Sequence, residues 1–117
     1  MTPKQRKAKE YSLQYNYGIS FKEYTKIVDI QAGVCAICGE PPKSVRLHVD
    51  HKHQPKERQL KRKKQQKLIR ANVRGLLCWR CNVALQKFRD NPVLMRNAAT
   101  YLENPPAKKV LDKAGKI

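Results

Sequence analysis

The spacing of apolar and polar positions predicts two helices at the start of the chain. Residues 3–17 follow a candidate N-cap at Thr2, carry a proline at the first helical position, and meet Gly18 as a stop signal. Ser20 and Glu23 then form the pattern of a capping box for a second helix, which we expect to run up to a glycine at position 33. The predicted core positions of this second helix are Tyr24, Ile27 and Val28.

Strict alternation replaces helical spacing in the middle of the chain. Val45 to Asp50 predicts a half-buried strand, and residues 73–77 predict its partner, with Gly75 at a point of close approach or a bulge. The strongly basic segment 54–72 between them predicts a loop or a marginal helix that becomes ordered only on a phosphate backbone. The polar residues on the open side of the first strand are Arg46, His48 and Asp50.

Helical spacing returns after the second strand. A third helix is expected from Cys81, and Asn91 with the following proline predicts the start of a fourth. The fold class is therefore α+β. A chain of 117 residues indicates a single domain over 1–104. Its expected parts are N-terminal helices over 1–32, a core over 33–90, a C-terminal helix over 91–104 and a frayed basic tail over 105–117.

The charge of the chain indicates its partner. Lys and Arg number 26 against 9 Asp and Glu, a formal net charge of +17. A field of this sign favours a polyanion, and nucleic acid is the common one. A ribosomal-type protein or a merely solvated basic surface is the alternative. The start of the chain lacks a secretory signal, and no run approaches the roughly 18 apolar residues of a membrane span, so we expect a cytoplasmic protein without membrane contact.

All four cysteines fall in two CxxC pairs, Cys35 with Cys38 and Cys78 with Cys81. In a reducing compartment paired CxxC motifs indicate zinc, which prefers four tetrahedral thiolates. A disulfide scaffold would need a secretory context, and a thioredoxin-like site would need a βαβ pattern; neither appears in the sequence. Such a zinc site is closed and structural, so any chemistry must come from other residues.

The candidate residues for chemistry lie between and just after the CxxC pairs. The carboxylate of Asp50 suits a hard cation such as Mg²⁺ or Mn²⁺, and His51 could deprotonate a water near neutral pH. Asn82 offers a neutral oxygen ligand, and the predicted strands and helix could bring it to the same cation as Asp50. The alternative interpretation is that His48, His51 and His53 are simply the polar end of a strand.

Three motifs resemble the phage recombination endonuclease VII family of HNH (ββα-metal, His-Me finger) nucleases. They are residues 33–39 (GVCAICG), 47–53 (LHVDHKH) and 73–82 (VRGLLCWRCN). The resemblance covers roughly residues 10–103. It implies a small zinc-stapled ββα-metal core with flanking helices, cleaving DNA with a divalent cation to leave 3′-hydroxyl and 5′-phosphate ends. It also implies catalytic metal ligands at Asp50 and Asn82, a general base at His51, and accessory roles for His53 and His48.

Two departures from the family pattern concern the substrate. The basic insertion 54–72 replaces a short connection, and Leu85 stands where some members carry an acid. With little chain after residue 102, we expect nicking or double-strand cleavage rather than Holliday-junction resolution. A non-catalytic zinc-finger DNA-binding module is a further alternative, and the sequence leaves monomer or homodimer open. The candidate DNA-contacting residues are Arg46, His48, Lys61, Arg62, Lys63, Lys64 and Arg74.

Overall fold

Side-chain caps set the first helices of the computed structural model, which describes residues 1–43 and 46–114. Helix α1 spans Pro3–Tyr17, and the Thr2 hydroxyl accepts from a backbone N–H of its first turn. Helix α2 spans Phe21–Ile30 and carries the predicted capping box of Ser20 and Glu23, with hydrogen bonds of 3.0 and 2.9 Å. It ends three residues before Gly33, because a turn occupies the intervening residues.

Gly18 does more than end α1. Its φ of 70° lies in the left-handed region, and a Cβ built on it would come within 2.6 Å of the backbone oxygen of Gln66. That oxygen belongs to α3, which spans Arg62–Ala71 inside the basic insertion. The glycine therefore allows a second helix to pack closely against the end of α1.

The basic insertion is an ordered element and not only a loop. After a short 3₁₀ turn at Glu57–Gln59, α3 packs on α1. The Arg62 guanidinium lies 4.0 Å from the ring centre of Tyr15, and Arg70 donates to the backbone oxygen of Gly18 at 3.0 Å. Ile69 is buried, whereas Leu60 is exposed. The expectation that this segment orders only on a phosphate backbone is therefore wrong, since protein contacts hold α3.

The two strands form an antiparallel hairpin sheet. Strand β1 spans His48–His51 and strand β2 spans Val73–Leu77. The predicted first strand was longer; its expected start at Val45 lies outside the described residues. Leu47 and Val49 turn inward as predicted, and the Tyr24 hydroxyl of α2 donates to the Leu47 backbone oxygen at 2.8 Å. The list of buried apolar side chains in the described part of the chain is Leu13, Ile19, Tyr24, Cys35, Leu47, Val49, Ile69, Leu76 and Leu77.

A bulge interrupts the ladder beside the candidate site. Asp50 pairs with Gly75, but the next residue, His51, pairs with Val73, so Arg74 is the extra residue of β2. Bulges redirect side chains and increase local twist. Gly75 also sits where a Cβ would lie 3.1 Å from the Gln31 side-chain oxygen. The close approach expected at Gly75 is confirmed, and the bulge that was its alternative lies at the neighbouring residue, Arg74.

Three helices follow the sheet. Helix α4 spans Trp79–Lys87, α5 spans Pro92–Glu103 with Asn91 as N-cap, and α6 spans Pro106–Ala114. The segment expected to be a frayed tail is thus helical up to its last described residue, because a proline at the first position and the helical spacing of Ala107, Val110 and Leu111 favour a helix. The chain forms two compact units, Met1–Asn82 and Val83–Ile117. The α+β class is confirmed.

Candidate metal centre and candidate active site

The four cysteines meet in one cluster, as the CxxC spacing predicted. All four Sγ atoms lie within 4.8 Å of one another, and Cys38 Sγ is 3.8 Å from Cys78 Sγ. Four sulfurs around zinc at about 2.3 Å lie about 3.8 Å apart, so the donor set fits a tetrahedral metal. The remaining members of the cluster are Cys35, which is buried, and Cys81.

Backbone groups around the first CxxC pair prepare Cys35 for metal binding. The Ile37 N–H points at Cys35 Sγ from 3.5 Å. Burial alone raises the pKa of the Cys35 thiol, but the N–H groups of Cys78, Cys38 and Ile37 outweigh it and lower that pKa to about 6. Burial and the three neighbouring sulfurs raise the pKa of Cys81 to about 12. Without a cation Cys35 therefore favours the thiolate and Cys81 the thiol, whereas zinc would stabilise the thiolate of all four cysteines.

Asp50 is not on an open surface, which corrects the sequence-based expectation. Its side chain is 9% exposed and accepts two hydrogen bonds from Arg74, at 2.8 and 3.0 Å. The bulge supplies the reason, because it places Arg74 opposite the step from Asp50 to His51. Arg74, predicted to contact DNA, is thus a partner of the candidate metal ligand.

His51 is held by a carboxylate, Glu57, that is not among the site residues predicted from the sequence. Its Nε2 lies 3.2 Å from Oε2 of Glu57, and the two side chains are 11% and 8% exposed. His53 approaches the same oxygen with Nδ1 at 3.5 Å and is 59% exposed. Glu57 is the only acid in 54–72, and this was the signal available in the sequence. The basic insertion therefore contributes a buried carboxylate to the candidate site.

The charge of Glu57 decides where the proton of His51 lies. Burial raises the pKa of Glu57, but the hydrogen bond from His51 and the backbone N–H of Gln54 outweigh it and hold the pKa below its usual value. An ionised carboxylate only accepts hydrogen bonds, so His51 donates from Nε2. A neutral imidazole then keeps its lone pair on Nδ1, the nitrogen that a general base needs.

The other predicted site residues are distributed around the first compact unit. His48 is half-buried and lines a cavity of about 160 Å³ together with Arg46, Tyr17 and Leu13. Asn82 is half-buried in α4, where its N–H donates to the Cys78 backbone oxygen at 3.0 Å. Exposed basic side chains at the start of α3 are Lys61, Arg62, Lys63 and Lys64.

These features define a small α+β protein with four clustered cysteines that fit a metal ion and with a histidine–carboxylate cluster beside its two strands. The chain belongs to the recombination endonuclease VII family, whose sequence profile matches residues 10–104. The predicted resemblance to that family is confirmed. None of the helices in the described part of the chain has the length and apolarity that a bilayer crossing needs.

Two phage proteins are similar to this chain. The Gene 59 protein of Mycobacterium phage L5 is 38% identical over 97 residues, covering 81% of this chain and 50% of the phage protein. The Gene 59 protein of Mycobacterium phage D29 is 36% identical over the same length, with the same shares covered. The chain thus spans about half the length of the curated relatives it matches. Among solved structures, none matches the chain.

Proposed function

We propose that the chain is a metal-dependent DNA endonuclease of the HNH (ββα-metal) class, stabilised by a zinc ion at its four cysteines. Family membership supports nuclease activity. The observation that carries the proposal is the contact of 3.2 Å between His51 and the ionised Glu57. It leaves Nδ1 of a neutral His51 unprotonated, and the preceding residue, Asp50, is a carboxylate suited to a divalent cation.

In this proposal His51 removes a proton from the water that attacks the scissile phosphate. Glu57 orients the imidazole and stabilises the imidazolium that forms, and His53 is an accessory residue near the phosphate. Asp50 and Asn82 would hold Mg²⁺ or Mn²⁺, because a carboxylate and an amide oxygen are the hard donors that these ions prefer. Such an ion supplies charge stabilisation for the phosphate and the departing oxygen.

The pair of Asp50 and Arg74 fits this assignment. A buried carboxylate needs a compensating charge, and a bidentate guanidinium provides it before a cation binds. Arg74, held against Asp50, would add positive charge beside the cation for a phosphate oxygen. Arg46, His48 and the exposed basic start of α3 would contact the DNA backbone without reading bases.

A branched-DNA resolvase is the second candidate, and the family description favours it. The departure at Leu85 and the basic insertion favour cleavage of linear or nicked duplex. Comparing cleavage rates on a four-way junction and on linear duplex of the same length separates the two. Equal rates would support the simple endonuclease.

The test of the proposal is plasmid nicking with magnesium against EDTA. His51→Ala should keep zinc and DNA binding but lose activity by about 10²–10⁴, the usual contribution of a general base. Asp50→Ala should be equally inactive and partly rescued by raised Mn²⁺, whereas His51→Ala should not be rescued. Asp29→Ala, an exposed aspartate of α2, is the matched control and should cut normally. If His51→Ala nicks at the wild-type rate, the assigned base is wrong.

A further inference from the structure

The geometry around Glu57 resembles a metal site that is separate from both the cysteines and Asp50. One ligand atom each from His51, His53 and Glu57 lies within 4.8 Å of the others. The two nitrogen–oxygen distances are 3.2 and 3.5 Å, and the imidazole centres are 4.3 Å apart. Ligand atoms about 2.1 Å from a tetrahedral ion lie about 3.4 Å apart, so the three side chains need little movement to share one ion.

The chemistry of these ligands selects a particular kind of ion. Two imidazoles and one carboxylate suit zinc and its neighbours in the transition series, whereas magnesium prefers oxygen ligands alone. Three protein ligands leave a fourth position open, and the 59% exposure of His53 gives solvent access to it. The hydrogen bonds of Glu57 to Gln54 and Gln65 fix its side chain and backbone from outside the cluster, as outer partners of metal ligands commonly do.

We propose that His51, His53 and Glu57 form a second zinc site whose occupation inhibits DNA cleavage. Zinc on Nε2 of His51 leaves the proton of the neutral imidazole on Nδ1. The lone pair that a general base requires on Nδ1 would then be absent. The inhibitory part rests on the proposed role of His51; the binding of zinc does not.

Calorimetric titration of zinc into the full chain, already carrying one zinc on its cysteines, tests the site. The wild type should bind one further equivalent. Glu57→Gln and His53→Ala should each weaken this second binding by at least about tenfold, a loss already reached when only an outer partner of a metal ligand is removed. Asp50→Asn is the discriminating variant, and it should retain the second zinc. Absence of a second equivalent, or its loss in Asp50→Asn but not in Glu57→Gln, would overturn the proposal.

Cleavage assays then test inhibition separately from binding. With magnesium constant, the wild-type rate should fall as the second zinc binds, with the same midpoint as in calorimetry. The cleavage rates of Glu57→Gln and His53→Ala are each compared with the rate of the same variant without added zinc. Neither rate should fall at the zinc concentration that inhibits the wild type. Binding without inhibition would refute the inhibitory role. A second zinc in a chain that never cleaves DNA would refute the proposed nuclease function and leave the site standing.

Discussion

Substitution of Gln31 is the strongest test of how the fold supports the cysteine cluster. Its side chain donates to the backbone oxygens of Val34 and Leu76 at 2.8 and 3.0 Å and accepts from the Leu76 N–H at 2.8 Å. Val34 directly precedes Cys35, and Leu76 lies two residues before Cys78. One side chain thus joins the backbones that carry the two CxxC pairs.

Replacing Gln31 with Ala should reduce the free energy of unfolding by about 2–4 kcal/mol. Each of the three hydrogen bonds contributes about 0.5–1.5 kcal/mol net, and a buried donor left unpaired costs about 1–3 kcal/mol. Leu76 is 0% exposed, so water cannot replace the partner of its N–H. Its oxygen is less affected, since the Ala36 N–H also donates to it at 3.2 Å.

Urea unfolding of the zinc-loaded chain measures this loss, and zinc release to a chelator should be faster in the same variant. Gln66→Ala is the matched control, because Gln66 makes one exposed hydrogen bond to the Tyr15 backbone oxygen at 3.1 Å. Gly75→Ala should also destabilise the wild type, since its Cβ would lie 3.1 Å from Gln31 Oε1. That penalty should shrink in the Gln31→Ala background. Equal stabilities of Gln31→Ala and Gln66→Ala would refute the reasoning.

Three further predictions concern metal, DNA and pH. Cys78→Ser should lose zinc and thermal cooperativity, since structural zinc contributes about 10–16 kcal/mol of apparent binding free energy; an unchanged melting curve would contradict it. Replacing residues 61–64 with Gln should flatten the salt dependence of duplex binding by about 0.9 in log–log slope per lost phosphate contact, and an unaltered slope would show that they are only solvated. Arg70, together with the backbone N–H of Ser20, lowers the pKa of Glu23 from 4.5 to about 2, and Glu23 forms an ion pair with Arg70. This pair therefore stabilises the fold above pH 4.5 and loses its effect as pH falls towards 2, so the stability difference between wild type and Glu23→Gln should disappear over that range.

The elements with local signals were predictable from the sequence. Thr2 and Ser20 cap the helices they were expected to cap, because capping depends on residues three positions apart. The hairpin followed from alternation, and the cysteine cluster followed from the spacing of thiols. Each of these depends on chemistry that neighbouring residues already determine.

The contacts of charged side chains were not predictable in the same way. Asp50 was expected to face outward, but the bulge brings Arg74 against it, and a glycine in a strand suggests a bulge without showing which side chain the bulge redirects. Glu57 sits in a run of lysines and arginines, so composition suggested solvent for it. Its burial depends on His51, which comes from a different element. The burial of Asp50 and of Glu57 is therefore set by partners that are distant in sequence or lie in another element.

The packing of α3 against α1 has a consequence for how this chain can be rearranged. Segment 54–72, which contains Glu57 and α3, packs against α1 through contacts with Tyr15 and Gly18. Both residues are far from the segment in sequence. A related protein with a short connection between its two strands, if given only segment 54–72, would gain the carboxylate of Glu57. It would lack the surface of α1 against which that segment packs. Transplanting α1 together with segment 54–72 should preserve the packing that positions Glu57. Transplanting either segment alone should not. The two segments therefore form one structural unit, although helix α2 and strand β1 lie between them in the chain.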